Sequence, residues 1–207
     1  MAEAARPQIY LITPPEVDLA SFPALLAKLL DQIDVACVRL SLSSRDVDRI
    51  VRAVDALREV TSARDVALVV ENHVLMVKRL GLDGVHLTDG ARSVRKTRKE
   101  LGGDAIVGAF CGTSRHDGMN AAEAGADYIS FGPVAASGLG DGAIAEPELF
   151  SWWSEMIEFP VVAEGGLNED ALRSLSSKTD FFAFGSTIWG SDEPAARLAD
   201  FRNIIGS

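Results

Sequence analysis

Val161-Val162-Ala163-Glu164-Gly165-Gly166 and Phe182-Ala183-Phe184-Gly185-Ser186 are two short apolar runs, each closed by a glycine-containing turn. Runs of this kind read as buried strands. A glycine at a strand end lets backbone N–H groups approach a phosphate, and a short helix that follows adds its N-terminal dipole. Either turn alone is equally a tight turn without a ligand. Their pairing late in the chain points to a phosphate cradle over the last two strands of a parallel barrel, provided that the preceding sequence supplies the other strands.

The preceding sequence alternates strand and helix patterns. Gln8 to Thr13 reads as a buried strand stopped by Pro14-Pro15, followed by an apolar-periodic helix from Leu19 to Leu30. Val35 to Leu40 is a second strand, and Val47, Ile50, Val51, Val54 and Leu57 share one helix face. Strands at Val66 to Val70 and Gly84 to Leu87 lead into helices at Val74 to Leu80 and Ser93 to Leu101. Ile106 to Phe110 precedes a helix over Asp117 to Ala124, and Tyr128 to Phe131 leads through a glycine-rich loop to a helix at Pro147 to Ile157. Val161 to Ala163 with Asn168 to Leu175, then Phe181 to Phe184 with Ala195 to Ile204, complete the series. About eight βα units close a barrel, so the expected fold is α/β, a (β/α)8 TIM barrel in a single domain over residues 1–207.

Composition narrows the function classes. With 47% hydrophobic and 24% charged residues the chain has ordinary globular values, and no run suggests a membrane span. A formal charge of -10 argues against nucleic acid as a partner. The cluster Arg92, Arg95, Lys96, Arg98 and Lys99 is either a local anion site or a solvated helix face. Cys37 and Cys111 lie far apart and no secretory pattern precedes Ile9, which leads us to expect free thiols and a cytoplasmic location.

Parallel strands would collect Arg39, Ser41, Glu71, Asn72, His86, Asp89, Cys111, Thr113, Ser137, Glu164 and Ser186 at one mouth. Glu71 and Glu164 are candidates for acid/base work or for holding a ligand amine, and Arg39 is placed to pair with either carboxylate or with a phosphate. The candidate catalytic residues are therefore Arg39, Glu71 and Glu164, and the candidate phosphate-binding residues are Gly165, Gly166, Gly185 and Ser186. His73, His86 and His116 lack the spacing of a zinc motif, and His86, between Val85 and Leu87, reads as a hydrogen-bonded wall residue. The Ser137 to Gly142 loop is either a lid or a plain connection.

Several segments resemble thiamine phosphate synthase and its relative TenI, a thiazole tautomerase. They are Ile9-Tyr10-Leu11-Ile12-Thr13, Leu82-Asp83-Gly84-Val85-His86-Leu87 and the run Ala124 to Pro133. Val161-Val162-Ala163 with Gly165-Gly166, and the Gly185-Ser186 turn, match in order and spacing. The resemblance implies a single-domain barrel, commonly a homo-oligomer, acting in thiamine biosynthesis as a transferase. In the synthase a pyrimidine methyl diphosphate is joined to a thiazole phosphate, magnesium holds the departing pyrophosphate and cationic side chains neutralise it. The resemblance also gives the small phosphorylated ligand of the cradle its identity, a thiazole-type phosphate.

The chain departs from that pattern at the diphosphate side. Where the synthase has Gln-Leu-Arg followed by Lys, this chain has Arg39-Leu40-Ser41 and then Ser43; where it has Asn-Asp-Arg, with the Asp a magnesium ligand, the chain has Glu71-Asn72-His73. Ser-Thr-His-Thr becomes Phe110-Cys111-Gly112-Thr113, removing the histidine TenI uses in proton transfer, and the loop lysine after the sixth strand has no counterpart between Ser137 and Gly140. Glu71 and Asp89 are left as candidate magnesium ligands. Losing one transition-state donor costs about a hundredfold to a thousandfold in rate, so the expectation is a family protein that binds the phosphate with little synthase turnover. A non-catalytic binding or regulatory protein, and an enzyme acting on another small phosphorylated substrate, are the alternatives.

Overall fold

Each apolar run of the sequence forms a parallel strand, and eight of them close into a barrel in the computed structural model, which describes residues 6–44 and 46–206. Of the domain expected over 1–207, residues 1–5, 45 and 207 lie outside the described residues. The strands are β1 (Gln8–Ile12), β2 (Cys37–Leu40), β3 (Ala67–Glu71), β4 (Gly84–Leu87), β5 (Ile106–Phe110), β6 (Tyr128–Phe131), β7 (Val161–Glu164) and β8 (Phe181–Phe184). Neighbours in sequence are neighbours in space, and β8 pairs with β1 through the register Ile9 with Phe182 and Leu11 with Phe184.

The helices that return the chain are α1 (Phe22–Leu30), α2 (Val47–Ser62), α3 (Val74–Leu80), α4 (Val94–Leu101), α5 (Arg115–Glu123), α6 (Pro147–Met156) and α7 (Glu169–Leu175). A four-residue α8 (Ser186–Trp189) precedes the last helix, α9 (Pro194–Gly206). Several starts differ from the sequence reading by one to three residues: α5 begins at Arg115 rather than Asp117, and β3, α4, α7 and α9 are each displaced by one. The Asp18 carboxylate accepts the Ala20 N–H at 3.1 Å and the Ser21 hydroxyl at 2.6 Å, so this segment is a turn and α1 begins at Phe22 rather than Leu19. Val35 is buried but stands outside the ladder, and β2 begins at Cys37.

Alternation along the strands divides the core in two. Outward side chains such as Leu11, Val38, Val85, Val107, Ile129 and Phe182 pack against the helices, with Trp153 of α6 and Phe201 of α9 wholly buried there. The smaller inner cluster is Tyr10, Val69, Tyr128, Val162 and Ala183, with Ile12, Cys37, Ile106 and Phe181 packed on it. The Tyr128 ring lies across Gly108: a Cβ there would stand 2.1 Å from Tyr128 Cζ.

At the N-terminal end of the barrel one device recurs. Asp83, Asp127 and Asp180 each sit immediately before an even-numbered strand and accept the N–H of a residue at the foot of the preceding one. These bonds run from Leu68 at 2.7 Å, Val107 at 2.7 Å and Val161 at 2.8 Å. Arg98 of the basic cluster belongs to the same end, donating to the carbonyls of Gly102, Ala105 and Gly125 and to Asp127. It ties loops together, which is neither of the two roles the sequence offered for it.

Gly108→Ala should destabilise the fold by about 1–3 kcal/mol through overpacking against Tyr128. Urea denaturation followed by circular dichroism checks this, and an unchanged midpoint would remove Tyr128 from that position.

Candidate functional site

A cavity of about 590 Å³ opens at the C-terminal ends of the strands. Arg39, Glu71, Glu164, Gly165, Gly166, Gly185 and Ser186 all line it, together with Ser41, His86 and Ser137. Strand parity brings Arg39, Glu71, His86 and Glu164 there, one inward step above the level of the inner apolar cluster, with Ser130 at the same level but fully buried.

The glycine turns answer to close packing. Gly165 and Gly166 have φ of +81° and +73°, which L side chains adopt with strain. A Cβ on Gly165 would come within 2.9 Å of Pro133 Cα, and one on Gly166 within 2.5 Å of the Ala135 carbonyl oxygen. The β7 turn thus lies flat against the loop after β6, which leaves its backbone facing the cavity. At Gly185 the space is freer, with Ile12 Cβ at 3.6 Å as the nearest atom to an added Cβ. α8 starts directly after it, and Trp189 Nε1 donates to the Ile12 carbonyl at 2.5 Å, fastening that helix to the end of β1. N–H groups in a first helical turn have no intrahelical acceptor, so the Gly185-Ser186 turn, which opens α8, suits an anion, whereas Leu167 and the capping Asn168 stand between Gly165-Gly166 and α7.

An ion pair forms the floor. Arg39 NH2 donates to Glu164 Oε2 at 2.5 Å, Ser130 Oγ donates to Glu164 Oε1 at 2.5 Å, and Arg39 and Glu164 are 4% and 1% exposed. Glu71, on the open side, places Oε2 3.7 Å from Arg39 Nε. Arg39 therefore pairs with carboxylates, the first of the two roles the sequence left open. Behind it His86 Nδ1 lies 3.0 Å from Tyr128 Oη, which lies 2.7 Å from Tyr10 Oη. Arg39 Nε and His86 Nε2 are buried without a hydrogen-bond partner among the described residues.

Burial and charge set the protonation of these groups. Burial is the largest single influence on Arg39 and opposes its charge, but Glu164 together with Tyr10 and Tyr128 raises the guanidinium above its ordinary pKa. Burial first, and Arg39 second, hold His86 well below the usual imidazole range, so it is neutral. Burial raises Tyr10 and Tyr128 above the ordinary phenol value. Cys111 is pushed up to about 12, chiefly by burial, which leaves no thiolate for nucleophilic chemistry.

The other expected residues are distributed differently. Asp89 lines a neighbouring cavity of about 740 Å³ with Cys111, Thr113 and Asp117, and its carboxylate accepts the Ser93 hydroxyl at 2.5 Å. Asn72, in the left-handed region at φ +59°, clasps Thr88, accepting its N–H at 3.0 Å and donating to its Oγ1 at 2.8 Å. Glu71 and Asp89 thus line separate cavities, and among the described residues no group of three or more His, Cys, Asp or Glu is gathered for a metal. Magnesium takes one or two carboxylates together with substrate phosphates, and Glu71 and Asp89 offer one carboxylate each from two cavities that meet at Thr88 and Phe110. In the Ser137 to Gly142 loop, Ser137, Gly138 and Leu139 line the first cavity while Gly140 and Asp141 line the second.

Sequence reasoning missed Tyr10, Tyr128 and Ser130, which look like ordinary strand residues. Their signal was parity, since Tyr128 and Ser130 are two apart on one face of β6.

The family described as thiamine monophosphate synthase matches residues 9–188. A thiamine-phosphate synthase of Rhodospirillum centenum is 41% identical over 201 residues, 96% of this chain and 97% of that protein. One from Erythrobacter litoralis is 38% identical over 214 residues, covering 100% of both chains. Among solved structures, thiamine phosphate pyrophosphorylase from Pyrococcus furiosus superimposes with a TM-score of 0.83 at 22% identity, covering 96% of this chain and 95% of that one, a likeness of fold.

Two outcomes follow from the floor. Arg39→Met strands the Glu164 carboxylate and should cost about 3–5 kcal/mol, whereas adding Glu164→Leu should restore most of that loss. Chemical denaturation of both variants decides it, and equal stability of the two would contradict a buried pair. His86 supplies a pH dependence. Below about pH 6.5 the unfolded chain takes up a proton at this imidazole that the folded chain refuses, so stability falls with pH, by at most about 1.4 kcal/mol per unit. Between pH 7.5 and 5.5 the wild type should lose more stability than His86→Gln, and equal losses would contradict a neutral His86.

Proposed function

The chain belongs to the thiamine monophosphate synthase family, and from that premise we propose that its cavity binds a thiazole-type phosphate with little synthase turnover. The observation that carries this reading is the single cavity in which two glycine turns, Gly165-Gly166 and Gly185-Ser186, face the ion pair of Arg39 and Glu164. The phosphate takes backbone N–H groups at the turns and the dipole of α8. Across the cavity, the one cation of the floor is already committed to a carboxylate of the protein. Neutralising a departing pyrophosphate calls for uncommitted positive charge, and the charge of Arg39 is already shared with Glu164 and Glu71. The place of the reading in thiamine biosynthesis comes from the family.

A second reading is favoured by a different observation. Two relatives named thiamine-phosphate synthase match this chain over nearly their whole length, at 41% and 38% identity. On that ground the cavity turns over the family reaction, its diphosphate side served by residues other than those that the synthase pattern uses.

Calorimetric titration with thiazole phosphate and thiamine phosphate, with and without magnesium, separates the readings when paired with an assay for thiamine phosphate formation. Saturable binding with turnover at least about a hundredfold below a working synthase is the expected result, a factor equal to the loss of one transition-state donor. Full turnover would establish the second reading. Gly185→Asp, which adds bulk and negative charge to the cradle, should abolish the binding heat in a folded variant; unchanged affinity would move the phosphate elsewhere.

A further inference from the structure

Two phenol groups inside the barrel take no part in the phosphate reading. Tyr10 Oη and Tyr128 Oη are 2.7 Å apart, and Tyr128 Oη is 3.0 Å from Nδ1 of His86. The opposite ring nitrogen, Nε2, has no hydrogen-bond partner among the described residues, is buried, and lies 3.7 Å from Glu164 Oε1 at the cavity floor. Distances alone do not fix the order of donors along this row. A phenol can donate in either direction, and a neutral imidazole carries its proton on either nitrogen.

Charge on the Nε2 side settles the order. Glu164 faces this nitrogen with Oε1, which accepts from the Ser130 hydroxyl, while its Oε2 pairs with the Arg39 guanidinium. A bare nitrogen lone pair aimed at a carboxylate oxygen 3.7 Å away is repelled, whereas an N–H there is attracted. With the single proton on Nε2, Nδ1 must accept, and Tyr128 is the group that donates to it. Having given its hydrogen to Nδ1, the Tyr128 oxygen accepts from Tyr10. Around this row stand Arg39 of β2, Glu71 of β3 and Glu164 of β7, while burial keeps both phenols protonated and His86 neutral.

We infer that Tyr128 and Tyr10 are positioning residues that hold His86 as its Nε2–H tautomer, making His86 a fixed hydrogen-bond donor to an acceptor atom on the ligand rather than a proton acceptor. Neither tyrosine touches the ligand; each acts through the next group in the row. Only the donor role rests on the cavity being the ligand site, and the tautomer stands apart from it.

Long-range proton–nitrogen correlation spectra of protein carrying nitrogen-15 histidine at neutral pH test the tautomer. The expected His86 pattern has a protonated, pyrrole-type Nε2 and a pyridine-type Nδ1 shifted by an accepted hydrogen bond. Exposed His116 serves as an internal reference. Tyr128→Phe keeps the ring over Gly108, and should move the Nδ1 resonance toward the value of an unbonded pyridine-type nitrogen. Tyr10→Phe should move it the same way by less, and it carries the test alone if Tyr128→Phe does not fold. A proton on Nδ1 in the wild type, or variant spectra superimposable on it, would overturn the assignment. Saturation with thiazole phosphate should shift the Nε2–H proton; an unmoved proton would overturn the donor role. Absence of calorimetric binding would overturn the cavity reading and the donor role with it, while the tautomer is judged on the spectra without ligand.

Discussion

The contact between Arg39 and Glu164 constrains everything at the mouth of the barrel. A guanidinium and a carboxylate are both removed from water there, and each would be costly to bury without the other. Their mutual geometry uses one arm of the guanidinium and one carboxylate oxygen. The second oxygen is taken by Ser130 and faced by His86, and the Nε edge of Arg39 is turned toward Glu71. Five strands are thereby committed to one arrangement, and the cavity above inherits a floor whose positive charge is largely spoken for.

Hydrophobic patterning made the barrel legible. Each of the eight strands was visible as an apolar run with a turn at its end, and a closed parallel sheet needs no more than their count and their direction. The ends of elements were less legible because they depend on single side chains. Asp18 spends its carboxylate on Ala20 and Ser21 and so delays α1, and Val35 enters the core without entering the ladder.

The candidate site was legible where one rule sufficed. Residues at the C-terminal ends of parallel strands converge, which put Arg39, Glu71, Glu164 and the glycine turns into one cavity. Asp89 obeys no such rule, since it lies past the end of β4 in a loop whose course is set by the clasp between Asn72 and Thr88. The tyrosines were hidden for a different reason. An aromatic residue in a strand usually announces a packed core, and only the partner two positions along, or across the barrel, reveals that its hydroxyl has work to do.

The three aspartates at the foot of the barrel give the molecule a division of labour. They join β3 to β4, β5 to β6 and β7 to β8 at the end remote from the cavity, with exposed carboxylates that stay hydrated. Closure of the sheet therefore has its own fastenings, which share no atom with the mouth. A lineage can exchange the residues of the upper rim one at a time, and pass through forms with poor chemistry, while the hoop below continues to hold a folded chain together.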